Sequence, residues 1–192
     1  MNRGEYGFLL LLLFLLSACK QEQVDSLATR TRDRMAELSA AGELTTVEYT
    51  VTKMVKTSDQ AWYKLGDRKI LFHCRAYLEA GVDLKAYNGE KTEINEQTRS
   101  ITLTLPQPRL LSLNMPIEEV GLAYEKVTLL RSDFSAEDRT HILQQGEKDI
   151  RADIPTMGIL ADAELNARIF FTTLLRQLGY SNITIKFEEA KS

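Results

Sequence analysis

Lys69-Ile70-Leu71-Phe72-His73-Cys74-Arg75-Ala76-Tyr77-Leu78-Glu79 is the stretch that decides the fold of this chain. Ile70, Phe72, Cys74, Ala76 and Leu78 occupy alternate positions, with Lys69, His73, Arg75 and Glu79 between them. Successive side chains of a strand point to opposite faces, so this pattern predicts a β-strand with one face against a core. Gly66-Asp67 marks a turn just before it, behind Trp62-Tyr63-Lys64-Leu65. Further upstream, Val47, Tyr49, Val51 and Val55 alternate with Glu48, Thr50, Thr52 and Lys56. That predicts a β-branched strand over 43–57, broken by Thr57-Ser58-Asp59.

Downstream the pattern stays extended. Asn88-Gly89 predicts a tight turn. Short strands are expected over 92–95 and 100–105, the second with Ile101, Leu103 and Leu105 on one face. Pro106-Gln107-Pro108 ends it, because proline cannot donate to a ladder. Residues 109–115 fit a further strand, and 117–130 fit helix and strand equally.

Helical spacing frames these strands on both sides. Val24, Leu27, Ala28, Thr31, Met35 and Leu38 form a stripe, with Gly42 where a helix would stop. Ser135 with Asp138 forms a capping-box pattern for a helix to about Asp153, which Pro155 interrupts. A second stripe follows at Leu160, Ala163, Ala167, Phe170, Phe171, Leu174 and Leu178, ended by Gly179. Ile183, Ile185 and Phe187 then alternate in a last strand. The expected class is α+β: a mostly antiparallel sheet with an N-terminal helix and a C-terminal helical region followed by a last strand. Whether that region is one helix or two stays open at this point.

The chain has 192 residues, 44% hydrophobic and 27% charged, with a net charge of −3. These values are ordinary for a globular protein, and a mildly acidic chain has no global pull on nucleic acid. The N-terminus differs from the rest. Arg3 precedes an apolar run from Phe8 to Leu16, and Leu16-Ser17-Ala18-Cys19 closes it. Charged start, apolar middle and small residues before a cut make a secretory signal. A membrane-spanning helix is the competing reading, but spanning needs about 20 apolar residues, and only 13 run from Gly7 to Cys19.

Leu-Ser-Ala-Cys resembles the lipobox of bacterial lipoproteins. The resemblance implies a diacylglycerol on the Cys19 thiol and cleavage before it. The expected organisation is a signal peptide over 1–18, a lipidated tether over 19–23 and a single α+β domain over 24–192. Lys20, in place of a retaining aspartate, favours the outer membrane within the bacterial cell envelope. An acylated Cys19 leaves Cys74 without an intramolecular partner, so no disulfide framework is expected.

Several ordered blocks carry a second resemblance. They are Glu43-Leu44-Thr45-Thr46-Val47-Glu48-Tyr49, Gly66-Asp67-Arg68-Lys69-Ile70-Leu71-Phe72 and Ala80-Gly81-Val82-Asp83-Leu84. Ile101-Thr102-Leu103-Thr104-Leu105-Pro106 and Leu174-Leu175-Arg176-Gln177-Leu178-Gly179-Tyr180 continue the series. Together, over roughly 43–187, they resemble the bacterial "domain of unknown function 4230" family. That family is typically tethered to a membrane by a helix or a lipid. It carries no assigned activity, so the resemblance supplies no catalytic residue.

No motif nominates a catalytic, cofactor-binding or metal-binding residue; the one site residue expected is the lipid attachment at Cys19. Neighbouring strand residues diverge, so His73 and Cys74 do not make a nucleophile pair, and Cys74 is read as a small core residue. A zinc site needs three or four converging ligands, whereas His73 and His141 stand alone. Glu118-Glu119 and Glu188-Glu189 are read as solvated pairs. Asp83 is expected to fix a turn through local amides. Arg30, Arg32 and Arg34 could meet anionic headgroups, but Asp33 and Glu37 dilute that field, and a solvated face is preferred. The expected role is a membrane-anchored module that binds or positions another envelope component, without cofactor. The alternative is an envelope hydrolase or transferase whose site residues are scattered.

Overall fold

The computed structural model describes residues 26–59, 68–127 and 136–189. Cys19, the tether, Trp62–Gly66 and the expected cap Ser135 lie outside them. Helix α1 spans Leu27–Ala41. Ser26 caps it by accepting a hydrogen bond from the Thr29 amide at 3.2 Å, and the Gly42 amide closes its far end on the Leu38 carbonyl at 3.2 Å. Both contacts satisfy backbone groups that a helix end otherwise leaves unpaired.

Strands β1 (Glu43–Asp59) and β2 (Arg68–Asp83) form a long antiparallel pair. Phe72, Cys74, Ala76, Leu78, Ala80 and Val82 are buried along β2, the alternation expected from sequence. Two antiparallel strands share the other edge of β2. β5 (Arg109–Asn114) pairs with Tyr77–Gly81, and β6 (Val120–Val127) pairs with Arg68–Cys74. Residues 120–127 thus resolve as strand, preceded by a 3₁₀ turn at Ile117–Glu119. Thr57-Ser58-Asp59 do not break β1, because they pair with Ile70, Lys69 and Arg68. A ladder partner outweighs the weak strand preference of such residues. β1 bulges between Thr45 and Val47, where a Cβ on Gly81 would lie 2.0 Å from the Leu44 carbonyl oxygen. Only glycine lets the two backbones approach so closely.

A second sheet has the order β3-β4-β7, formed by Glu93–Asn95, Ser100–Leu105 and Asn182–Phe187. β3 and β4 are antiparallel, whereas β4 and β7 run parallel. The fold is thus α+β with mainly antiparallel pairing, arranged as two sheets. Asn88-Gly89 makes no hairpin turn. Asn88 instead caps the 3₁₀ turn Gly89–Lys91 through its side chain, a use of asparagine that competes with hairpin geometry.

Helices α2 (Ala136–Met157) and α3 (Ile159–Leu178) cover the sheets. The break between them is at Gly158, with φ of +80°, rather than at Pro155, which lies inside α2. Pro155 lies two residues before the C-terminal end of α2, so the bond its missing amide denies the Arg151 carbonyl disturbs only the last turn. Along α3 the buried residues are Ile159, Ala163, Ala167, Phe171 and Leu175. Phe170, expected on the stripe, is 39% exposed. Small Ala163 and Ala167 let the helix sit close to the sheets, and that approach selects the ladder through Phe171.

The packing makes α3 the common member of two clusters. Ile159 and Ala163 join Ile150 and Ile154 of α2 over Ala76, Leu78 and Ala80. Ala167, Phe171 and Leu175 join Met35 of α1, Val82, and Ile101, Leu103 and Leu105 of β4. Burying a large apolar side chain stabilises by about 1.5–3 kcal/mol, so this helix holds both sheets.

Candidate functional site

The residues singled out from sequence do not converge. Cys74 is 0% exposed, and burial pushes its thiol pKa up. His73 is exposed on the opposite face and pairs across the ladder with Gly121. Its ring occupies the space a side chain at 121 would fill. His141 is exposed on α2. Among the described residues, no three His, Cys, Asp or Glu side chains group closely enough to hold a metal ion.

The acidic residues have structural partners. Asp83 accepts from the Lys85 amide at 3.1 Å, the expected turn contact. It also pairs with Arg109 at 2.9 Å, and Arg109 reaches Glu43 at 2.7 Å. The Arg109 guanidinium, chief among the causes, holds the Asp83 carboxyl below the usual carboxylate range. This clip ties β1, β2 and β5 at one end of their sheet. Glu119 accepts from the Tyr77 hydroxyl at 2.8 Å and from Arg75 at 3.2 Å. Glu188 pairs with Lys91 at 2.6 Å. Glu119 and Glu188 are therefore not simply solvated, as the sequence suggested; each has a cation beside it.

A concavity lies among the described residues where the sequence nominated nothing. It is a groove of about 570 Å³ between α1 and the segment from Tyr87 to Ile94. Met35, Ala36, Tyr87 and Ile94 give it an apolar floor, and Arg32 and Glu90 stand on its rim. Its amphipathic helix is anchored at both ends. Besides the Ser26 cap, the Glu96 carboxylate accepts from the Ala28 amide at 2.8 Å. That amide, followed by the Ser26 hydroxyl, lowers the Glu96 pKa. The helix N-terminus, whose partial charge is positive, is thereby tied to the β3–β4 turn.

The polar groups beside the groove already satisfy one another. The Thr31 hydroxyl donates to the Leu27 carbonyl at 2.8 Å and lies 2.9 Å from the Tyr180 hydroxyl. Thr31 has one proton, so Tyr180 supplies the proton of the second bond. Tyr180 is buried, and burial is the main cause of its raised pKa. Ser39 donates to the Leu84 carbonyl at 2.8 Å, and the Tyr87 and Thr92 hydroxyls lie 2.8 Å apart. A surface of this kind offers apolar contact area with fixed polar edges, which is what recognition sites use. It presents no activated nucleophile or poised acid–base pair.

The groove escaped sequence reading because its walls come from residues 31–39 and 87–94, which no local period connects. Met35 was legible as a stripe residue of α1, but the stripe pointed only to a core.

The profile of the protein family of unknown function DUF4230 matches residues 36–185. The chain belongs to that family. Neither a curated protein nor a solved structure matches it.

Proposed function

We propose that this protein is a lipid-anchored module of the bacterial cell envelope that binds a segment of another envelope protein in the groove beside α1. The groove carries the reading: a concavity of about 570 Å³ with apolar residues in its lining, whose neighbouring hydroxyls are already bonded within the fold. Such groups hold a shape and do not wait for a substrate, which favours binding over catalysis. The Leu16-Ser17-Ala18-Cys19 pattern supports the anchor. Six residues separate Cys19 from Ser26, and the seven residue steps between the two span at most about 25 Å when extended. An acylated Cys19 would hold α1 within that distance of the bilayer, so the ligand is sought in the envelope. Two acyl chains suffice for stable anchoring.

A photo-crosslinking residue at Ala36, an exposed position on the groove wall, tests the binding role in intact cells. The same residue at Lys148, exposed on α2, serves as control. A discrete protein adduct from Ala36, absent from Lys148 and lost when Arg32→Glu reverses an exposed charge on the groove rim, supports the proposal. Equal labelling from both positions, or a low-molecular-weight product turned over at the groove, refutes it.

A further inference from the structure

The outward face of α3 differs from those of the other two helices. Exposed residues of α1 include Arg30, Arg32, Asp33, Arg34 and Glu37, and those of α2 include Lys148 and Arg151. On α3, Leu165 is 56% exposed, Ile169 57% and Phe170 39%. Ile169 and Phe170 line a surface depression with Asn166, Thr173, Leu174 and Gln177. Large apolar side chains in a contiguous exposed group mark an interaction surface more than chance.

The charges of α3 say what fits there. Glu164 and Arg168 pair with each other at 2.7 Å. Arg168 also donates to the Ile185 carbonyl and lies 4.8 Å over the Phe187 ring, so it is turned toward β7. That leaves Asp162 in the first turn, which accepts one hydrogen bond from the Tyr49 hydroxyl at 2.5 Å and keeps its negative charge, and Arg176 in the last turn, with the exposed apolar residues between them. A face with an anion at one end, a cation at the other and apolar residues midway is complementary to itself in the reverse direction. A lipid surface is a poorer match, because interfacial helices flank their apolar face with several cations.

We propose that the α3 face pairs antiparallel with the same face of a second copy of this chain, about a two-fold axis near Ile169. Ile169 and Phe170 of one copy meet those of the other, and each Asp162 comes alongside the partner copy's Arg176. Antiparallel alignment also sets each positive helix end beside a negative one. The polar residues midway need no new partners: Asn166 donates to the Thr46 carbonyl at 2.9 Å and Thr173 to the Ile169 carbonyl at 2.9 Å. One helix face buries less than the roughly 1,200–2,000 Å² of a stable interface, so the pairing is weak and depends on local concentration.

The test is photo-crosslinking in cells that co-produce the full chain with two different tags, the crosslinker replacing Ile169. The expected product carries both tags. Arg176→Asp lowers its yield at least fivefold, and Asp162→Arg together with Arg176→Asp restores it. A crosslinker at Lys148 gives no such product. An adduct to lipid or to a different protein, no doubly tagged product, or a yield indifferent to the charge exchange overturns the proposal. Retained solubility and unfolding midpoint of the Arg176→Asp chain confirm that its loss of product is not misfolding.

Discussion

Replacing Phe171 by alanine tests how α3 joins the two sheets. The ring is 0% exposed and packs with Met35, Leu103, Leu105 and Tyr180, drawn from α1, β4 and the start of the closing turn. Emptying such a site costs about 3–5 kcal/mol, the lost transfer energy plus the cavity left behind. Phe170 lies edge-on to it, with centroids 5.1 Å apart and planes at 88°. That contact is worth about 1 kcal/mol. Phe170→Ala loses the same contact but, from a ring already 39% exposed, leaves no closed cavity, so its expected cost is about 1 kcal/mol. The assay is urea unfolding of the purified chain. With a slope of about 2 kcal/mol per molar, the midpoint falls by about 2 M for Phe171→Ala and about 0.5 M for Phe170→Ala. Equal shifts, or a larger one for Phe170, would refute the packing described for α3.

Three other expectations follow from single contacts. Glu96 and Asp83 have folded pKa values depressed by their partners; their stabilisation is full above the unfolded carboxylate value and is lost as pH falls through the folded one. The melting temperature should therefore drop between about pH 5 and pH 3, and Glu96→Gln should blunt that drop when the two chains are melted in parallel. Gly81→Ala forces a methyl against the Leu44 carbonyl and should destabilise by about 3 kcal/mol, whereas Gly89→Ala, whose methyl would meet the Tyr87 ring at an ordinary 3.7 Å, should change the urea midpoint little. Cys74→Ala should cost about 1 kcal/mol, and the native Cys74 thiol should resist a thiol reagent until the chain is unfolded.

Strand β2 was legible because six of its alternate residues are buried on one face without interruption. The ends of α1 and α3 were legible because Gly42 and Gly179 stand where the helical stripes stop. What escaped depended on distant partners. Thr57-Ser58-Asp59 read as a break because the pairing that holds them straight comes from Arg68–Ile70. Residues 120–127 fitted two periods until β2 supplied an edge. The parallel register of β7 on β4 joins Ile101 to Ile183 and Leu103 to Ile185, a choice no local pattern encodes. Two adjacent phenylalanines both fit a helical stripe, and only the close seat of Ala163 and Ala167 decides for Phe171. Of the candidate site, the sequence exposed α1 and its apolar stripe. The opposite wall, Tyr87 to Ile94, became part of a groove only through the fold.

The proposed function rests first on the anchor, and one measurement reaches it directly: the mass of the N-terminal peptide of the chain purified from its native membrane. The account expects Cys19 as the first residue, carrying a diacylglyceryl group on sulfur, with residues 1–18 absent. A peptide that begins at Met1 and contains an unmodified Cys19 would contradict it.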